Sequence, residues 1–411
     1  MQPRAVITGI GVVSPVGNGV DEYWKALTAG KSGIGPITLF DTTGHSVRIA
    51  GEVRNLDFGR YIPPQLMKRM SRASQLAVVA AKMAIEDSGL QITDANRREV
   101  DVYLGVASMD FNMVAENMAK MMERGPQGVS PLAPAMSVPA APVGNISIAL
   151  GVSGETMTFT TGCSSSNNAI GQAYRKIRSG ASKIILAGGT DTSVQPGLVA
   201  AYANARALST VNEDPERACR PFDARRDGHV VSEAAGILIL EEYEQARDRG
   251  ASIYAEVVGY GTSTDAHSMF KICDDVEHAS RSVQKALSES GKDPGKLGYY
   301  AAHGTAARST DMRETNMLKR ALGRDAYRLP VSSIKSMTGH PFGASGVLQT
   351  AAGALSIRHQ AVPPTINYEE PDPDCDLDYV PNEARDQKVD MAMSYCLGMG
   401  GNNAAVCLAT V

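Results

Sequence analysis

Residues 160–171 have the sequence TTGCSSSNNAIG, in which a short β-branched run ends, a glycine follows, and an amphipathic helical pattern begins directly after a cysteine. The pattern predicts a strand, a sharp turn and a helix that begins at Cys163. Unpaired N–H groups and the positive end of a helix dipole favour the thiolate at such a position. Free cysteine is also one of the residues most often buried in cores, so the segment alone leaves catalysis and packing both open.

Around this segment, short β-branched runs alternate with amphipathic helical windows, which predicts an α/β protein. Strands are predicted at 6–9, 102–106, 157–160, 184–187, 237–240, 255–258, 299–302 and 391–395. Helices are predicted at 21–28, 73–87, 164–179, 277–290 and 344–359, three of them closed by Gly89, Gly180 and Gly291. A polar stretch at 243–252 ends in glycine before a new strand, and it predicts a division into residues 1–251 and 252–411.

Composition excludes several classes of function. The 411 residues carry 40 Lys+Arg against 44 Asp+Glu, a net charge of −4 with no block of like charge, which argues against nucleic-acid binding. Six cysteines without a Cys-x-x-Cys pair predict neither a zinc site nor a disulfide framework, and they suit a reducing cytoplasm. The sequence contains no run of 18 apolar residues, so no membrane span is predicted. Forty glycines, seven phenylalanines and one tryptophan predict an interior with close backbone approaches.

Two histidines of the second half lie in glycine-containing loops next to predicted elements. His303 lies in residues 301–305, AAHGT, and His340 in residues 335–346, KSMTGHPFGASG. A lone histidine is more often structural, but catalytic groups concentrate in loops held by a rigid scaffold. The segment 397–403, LGMGGNN, predicts either a tight turn or a loop whose N–H groups form an oxyanion hole. Cys396, just before it, is predicted to be a buried structural thiol.

Together these segments resemble the elongating condensing enzymes, the β-ketoacyl synthase branch of the thiolase superfamily. The likeness covers nearly the whole chain and includes TGIGVVSPVG at 8–17, RPFD at 220–223, RDG at 226–228 and DCDLDYVP at 374–381. It implies a duplicated thiolase-like fold, layered α-β-α-β-α with mixed sheets, usually assembled as a homodimer. It also implies decarboxylative Claisen condensation of a cysteine-bound acyl group with malonyl-acyl carrier protein, which gives 3-oxoacyl-acyl carrier protein in fatty-acid elongation.

The resemblance also implies catalytic roles for five residues. Cys163 would be the nucleophile that carries the acyl group. His303 and His340 would donate hydrogen bonds to the thioester oxygen of the malonyl group. Lys335 would be the active-site lysine, and Glu314 its acidic partner.

Further residues are assigned by the same resemblance. The backbone N–H groups of Cys163 and Met399 would form a second oxyanion hole, and Thr305 and Thr338 would contact the phosphopantetheine arm. An acidic acyl carrier protein would dock on Lys68, Arg69 and Arg206, whereas for Arg72 docking and a solvated helix face remain equally open. No metal is expected, and no cofactor beyond the pantetheine arm that the carrier supplies.

The sequence departs from the family at the acyl pocket. Elongating synthases usually carry aromatic gates where this chain has Leu397, Met399 and His229, which leaves the acyl chain length open. A ketosynthase of a type II polyketide or polyene pathway, either a homodimer or a heterodimer with a partner subunit, is therefore the main alternative. Cys163 counts against a noncatalytic chain-length subunit, and His303 with Lys335 counts against a coenzyme A thiolase.

Overall fold

The structure is a computed structural model that describes residues 2–411. Ten strands build its main sheet: β1 Ala5–Ser14, β2 Val100–Gly105, β3 Thr156–Phe159, β4 Ile184–Thr192, β5 Glu233–Glu242, β6 Ala255–Thr264, β7 Leu297–Ala301, β8 Val331–Ser332, β9 Met391–Gly398 and β10 Asn402–Ala409. An eleventh short strand, Gly17–Asn18, pairs with β1. Two further hairpins pair Ile34–Pro36 with Ile49–Gly51 and Ala361–Val362 with Arg385–Asp386.

The longer helices fall between these strands. They are α1 Val20–Thr28, α2 Arg72–Ser88, α3 Phe111–Arg124, α4 Ala141–Leu150, α5 Ser165–Arg178, α6 Pro196–Asn204, α7 Tyr243–Asp248, α8 Glu277–Ser290, α9 Arg308–Leu322 and α10 Ser345–His359. Short α-helical turns lie at Phe58–Tyr61, Pro64–Met67, Ala133–Ser137 and Lys335–Thr338. Every predicted helix and strand is present, and the α/β class is confirmed. No helix within residues 2–411 is long and apolar enough to cross a membrane.

The sheet has the order β8-β7-β9-β10-β6-β1-β5-β4-β2-β3. Outward from the central β1–β6 pair, each half repeats one pattern of two antiparallel junctions followed by two parallel ones. The central pair is itself antiparallel, with Ala5 opposite Val257. The fold is therefore duplicated, as the resemblance implies, and the two halves share one continuous sheet.

The helices form three layers around the two half-sheets. Helix α2 packs on β1, β5 and β4, whereas α8 packs on β6 and β10. Between them, α5 and α10 contact each other and strands of both halves, so their small and aliphatic side chains form the central core. Each of these two helices begins after a one-turn 3-10 helix, Gly162–Ser164 before α5 and Phe342–Ala344 before α10, and the two turns are in contact.

Strand β1 is longer than predicted. Its glycines do not end the strand, because they lie within it and allow close packing against α2. A Cβ atom at Gly11 would lie 1.9 Å from the carbonyl oxygen of Ala80, so the α2 backbone approaches the strand too closely for any side chain. Some elements were not predicted because their residues are atypical for a buried helix or strand. Helix α9 buries charged residues such as Asp311 and Glu314, and β10, NNAAVCLA, is rich in alanine rather than in β-branched residues.

Candidate active site

Cys163 lies in the tight turn that joins β3 to α5. Gly162 has φ +64°, and a Cβ atom there would lie 3.2 Å from the backbone nitrogen of Met399, so the turn abuts the glycine loop at 398–401. The Ser165 hydroxyl accepts from the N–H of Thr161 at 2.9 Å and donates to the carbonyl of Gly162 at 2.6 Å. These contacts fix the cysteine at the wall of a cavity, with 6% of its surface exposed.

The Cys163 thiol faces His340. Its Sγ atom lies 3.1 Å from Nε2 of His340. Burial raises the pKa of Cys163 to about 12, which favours the thiol over the thiolate that the sequence pattern favours.

A serine contacts the other ring nitrogen of His340. The Nδ1 atom lies 3.0 Å from Oγ of Ser345, and a hydroxyl that donates to Nδ1 leaves the ring proton on Nε2, toward Cys163. Burial, followed by the nearby charge of Lys335, lowers the pKa of His340 well below its usual range. The ring is thus a neutral N–H donor. Ser345 was missed from the sequence, although it lies five residues after His340 at the start of α10.

His303 faces the same cavity. Its ring centroid lies 5.5 Å from that of His340, with the ring planes at 85°. Burial, followed by the charge of Lys335, lowers the pKa of His303 well below its usual range, so this imidazole is also neutral. Glu314 holds the loop, because its carboxylate accepts from the N–H groups of His303 at 2.8 Å and of Gly304 at 2.7 Å.

Lys335 and Glu314 make no direct contact, although the charge of each acts on the pKa of the other. These two described side chains form no ion pair, because the Glu314 carboxylate is occupied by backbone N–H groups and by the hydroxyl of Tyr300. Nζ of Lys335 donates instead to Oε1 of Gln349 at 3.0 Å. Burial lowers the pKa of Lys335 and raises the pKa of Glu314 to about 7.

Gln349 is the central residue of this buried network and was missed from the sequence. Its amide nitrogen donates to the carbonyls of Ala301, Ala302 and Tyr395 at 2.8, 3.0 and 2.8 Å. Its oxygen also accepts from Cys396, which is fully buried as predicted. The residue therefore ties the strand before His303 to the strand before the glycine loop. The only signal in the sequence was a glutamine among the small and aliphatic residues of α10.

The site opens into a cavity of about 1090 Å³. Cys163, His303 and His340 line it, together with the predicted substrate-contacting residues Thr305, His229, Leu397 and Met399.

Thr338 does not line this cavity, so its predicted contact with the pantetheine arm is wrong. It is fully buried, and its hydroxyl donates to the carbonyls of Ile334 at 3.2 Å and Gly339 at 2.9 Å. The residue shapes the backbone before His340 and offers no free group to a substrate.

A buried ion pair supports the glycine loop. Arg313 donates to Asp265 at 2.7 Å, and the other oxygen of Asp265 accepts from the side chain of Asn403 at 2.9 Å. The N–H of Asp265 donates to the carbonyl of Gly401 at 3.0 Å. The loop that presents the Met399 N–H is thus fixed from α9 and from the end of β6.

Basic residues surround the mouth of the cavity. Arg206, Lys271 and Arg308 all line it, and only Arg206 was assigned from the sequence. Lys68 and Arg69 are exposed beyond the short helix Pro64–Met67.

Arg72 has a different environment from Lys68 and Arg69. Its guanidinium donates to both carboxylate oxygens of buried Glu233, at 2.5 and 2.6 Å. This bidentate contact makes Arg72 part of the scaffold, an environment that matches neither carrier docking nor a solvated helix face.

Two protein-family models match the chain. The model described as β-ketoacyl synthase, N-terminal domain, matches residues 2–246, and that of the β-ketoacyl synthase C-terminal domain matches residues 254–369. The chain belongs to the β-ketoacyl synthase family. The resemblance inferred from the sequence is thereby confirmed.

Relatives of this β-ketoacyl synthase match it over its full length. The 3-oxoacyl-[acyl-carrier-protein] synthase 2 of Synechocystis is 41% identical over 403 residues, which cover 98% of this chain and 97% of the relative. The solved ishigamide ketosynthase/chain length factor superposes with a TM-score of 0.93 at 35% identity. A type II polyketide ketosynthase, AntDE, solved with its acyl-carrier protein AntF and bound to the hexaketide, superposes with a TM-score of 0.92 at 32% identity. Both structures cover, and are covered by, 100% of the chain, and the fold is thiolase-like.

The pKa of Cys163 predicts an unusual pH dependence of alkylation. We expect iodoacetamide to label Cys163 about tenfold faster for each pH unit between 7 and 10, because the thiolate fraction keeps rising below a pKa of about 12. Peptide mass spectrometry after timed labelling measures the rate. Cys396 serves as the internal control and should react later, since it is fully buried. A rate that levels off by pH 8 would contradict the assignment.

Proposed function

We propose that this β-ketoacyl synthase is a 3-oxoacyl-[acyl-carrier-protein] synthase, an acyltransferase of fatty-acid elongation. The observation that carries the proposal is the convergence of a buried thiol and two neutral imidazoles in one cavity, with Sγ of Cys163 3.1 Å from Nε2 of His340. This set suits covalent acyl transfer followed by stabilisation of an enolate. The full-length relative named 3-oxoacyl-[acyl-carrier-protein] synthase 2 supports it.

In the first half-reaction, Cys163 attacks the thioester of an acyl carrier protein. A bond forms between its sulfur and the acyl carbon, the bond between the acyl carbon and the pantetheine sulfur breaks, and the cysteine proton leaves with the pantetheine thiol. The Nε2–H of His340 stabilises the developing thiolate. The N–H groups of Cys163 and Met399, which lie at the contact of the two loops, are proposed to bind the oxyanion.

In the second half-reaction, malonyl carrier protein enters and loses its carboxylate as CO₂. The electron pair moves onto the thioester oxygen, which accepts hydrogen bonds from His303 and His340. The resulting carbanion attacks the acyl carbon, and the bond to Cys163 breaks. Cys163 then takes up one proton from solvent, and the product is 3-oxoacyl carrier protein.

Lys335 and Glu314 are proposed as supporting residues of this chemistry. The charge of Lys335 helps to keep both histidines neutral, which preserves their N–H donor function. Glu314 positions the His303 loop through two backbone hydrogen bonds. Neither residue needs to pair with the other for these roles.

The direct test offers the protein four thioesters: an acyl carrier protein, the matching acyl coenzyme A, malonyl carrier protein and acetyl coenzyme A. We expect intact-mass spectrometry to show an acyl adduct on Cys163 from the carrier donor. Addition of malonyl carrier protein should then release one CO₂ for each 3-oxoacyl product. Condensation of two coenzyme A thioesters without CO₂ release would instead establish a thiolase.

The carrier is proposed to dock at the basic mouth, where Arg206 lies, and on Lys68 and Arg69. We expect Lys68→Glu with Arg69→Glu to weaken carrier affinity about tenfold and to reduce its salt dependence, because two attractive charges become repulsive. Titration at several ionic strengths measures both quantities. The matched control is Lys292→Glu with Lys296→Glu, also exposed but on the second half of the chain. Unchanged affinity in the first variant would exclude this docking surface.

We propose that residues 1–251 and 252–411 are the two duplicated units. Each then contributes five strands of the sheet, and α7, Tyr243–Asp248, ends the first unit. The six cysteines are all free, which suits the cytoplasm as the proposed compartment.

The protein is proposed to be a homodimer through the free edge of β3. This strand ends the sheet, and Met157 on it is 44% exposed. Helix α3 also leaves Phe111, Val114, Met118 and Met122 exposed along one face. Unpaired strand edges and apolar helix faces favour association with a second copy.

We expect Met157→Glu to shift the dimer toward the 43.5 kDa monomer, because it places a charge within an apolar contact. Sedimentation velocity across a concentration series measures the shift. Tyr327→Glu, an exposed aromatic near the opposite end of the sheet, is the control and should remain dimeric. A wild-type monomer at micromolar concentration would refute the homodimer, and assembly only with a second chain would favour a heterodimer.

A ketosynthase of a type II polyketide or polyene pathway is the second candidate. The observation in its favour is the polar residue His229 in the cavity wall, at a position where the sequence departs from the elongating enzymes. The polyketide ketosynthase solved with its hexaketide, at 32% identity, supports the same possibility.

A further inference from the structure

His229 lies in the wall of the active-site cavity, beside the catalytic pair, and the proposed reaction does not use it. It is 9% exposed, and its ring is edge-on to His340 with centroids 5.5 Å apart and planes at 84°. Phe342 and Tyr202 flank the ring at centroid distances of 5.7 and 5.8 Å. Within the described chain, Nε2 of His229 has no hydrogen-bond partner although it is fully buried.

The backbone fixes this position. The N–H of His229 donates to the carbonyl of Ala207 at 3.0 Å, and its carbonyl accepts from the N–H of Ser209 at 2.9 Å. These bonds form a parallel bridge between His229 and Leu208. The backbone of His229 is therefore fixed at the cavity wall by two hydrogen bonds. Rotation about χ2, which is broad and roughly two-fold for histidine, exchanges the nitrogen that faces the cavity.

Nε2 of His229 has no accessible surface and no partner, so a ligand in the cavity reaches this nitrogen only after the ring rotates. A buried polar group without a partner is costly, which favours that rotation when a ligand oxygen is present. Burial lowers the pKa of His229 to about 4, so the ring is neutral and offers one N–H donor and one acceptor. A carbonyl or a hydroxyl on the substrate could satisfy it. Tyr202, which lines the same cavity and stacks on Phe342, adds a second hydrogen-bonding side chain to this wall.

We infer that His229 is a specificity-determining residue that hydrogen-bonds an oxygen of the acyl chain on Cys163. The pocket therefore favours acyl groups with a carbonyl or hydroxyl near the thioester over saturated groups of the same length. The position suits this role because His229 contacts His340, whose Nε2 lies 3.1 Å from the nucleophilic sulfur. The inference rests on the proposed function, since it concerns the acyl group that Cys163 accepts.

The test compares two donors on the same carrier protein, octanoyl and 3-hydroxyoctanoyl. We expect the wild-type protein to be acylated at least about tenfold faster by the hydroxylated donor, because a site built to bind a hydroxyl discriminates against an analogue that lacks it. His229→Phe keeps a ring but removes both nitrogens, and it should abolish most of this ratio. His229→Gln keeps a donor and an acceptor and should retain part of it. His359→Phe, at the exposed end of α10, is the control and should keep the wild-type ratio.

The measured quantity is the ratio of acylation rates within one protein sample, so differences in folded fraction cancel. Equal rates for the two donors on wild-type protein would overturn the inference while leaving the proposed function intact. The inference also fails if His229→Phe keeps the ratio, or if it changes only the KM for malonyl carrier protein. Absence of any adduct on Cys163 from either donor would refute the proposed function and the inference together.

Discussion

The Cys163→Ala protein is expected to form no acyl-enzyme and to lose condensation activity by about 10⁴-fold or more, as removal of the nucleophile does in other covalent enzymes. The reason is structural: no other thiol lines the described cavity, and Cys396 is fully buried and bonded to Gln349. Intact-mass spectrometry and product formation from malonyl carrier protein measure the two losses. Full condensation activity in this variant would refute the mechanism.

Cys163→Gln separates the two half-reactions. Its side-chain amide resembles an acyl group on the cysteine, so malonyl decarboxylation should persist or increase while condensation disappears. Release of CO₂ from malonyl carrier protein measures the first activity. Cys273→Ala, a substitution of a half-buried cysteine on another segment, is the control and should retain both activities. Loss of decarboxylation in a correctly folded Cys163→Gln protein would show that the cysteine is needed for that step as well.

The second large effect is expected from the histidines. His303→Ala and His340→Ala should each slow malonyl decarboxylation by about 10²–10³-fold, the usual effect of removing one donor from an oxyanion site. They should differ in acylation, because only His340 contacts Sγ of Cys163, at 3.1 Å. His340→Ala should therefore slow both half-reactions, whereas His303→Ala should mainly slow the second.

Single-turnover acylation and CO₂ release, measured separately, test this division. His359→Ala is a suitable control, because His359 stacks on Trp24 at the far end of α10. Normal decarboxylation by the His303→Ala protein would exclude His303 from the enolate site. Equal acylation rates in both variants would show that the contact between His340 and Cys163 does not assist the thiolate.

The sequence was informative where a residue type is unusual for its local pattern. A cysteine between a glycine and a helix, and histidines in glycine loops, stand out without any knowledge of the fold, and the structure brings all three to one cavity. Most of the secondary structure was predicted from hydrophobic periodicity, which is also a local property of the sequence. The duplication did not, because it is a property of strand order, and strand order depends on pairings that local patterns do not encode.

Partner assignments within the site were harder to predict. The family resemblance assigned Glu314 as the acidic partner of Lys335, yet the Glu314 carboxylate binds two backbone N–H groups and the lysine binds Gln349. Which groups form a hydrogen bond depends on differences of a few tenths of an ångström in the distances between separate elements. Thr338 shows the same limit, since its hydroxyl is used by the backbone of its own turn.

The paired 3-10 turns before α5 and α10 have a further consequence. They occupy equivalent places in the two repeats, and the residues at their starts, Gly162 and Phe342, both have positive φ. Cys163 in the first turn corresponds to Gly343 in the second, while Ser165 and Ser345 each use a hydroxyl to fix the loop before their helix. The first half of the chain supplies the sulfur and the second half supplies both imidazoles, so the cavity is complete only when the two halves are packed together.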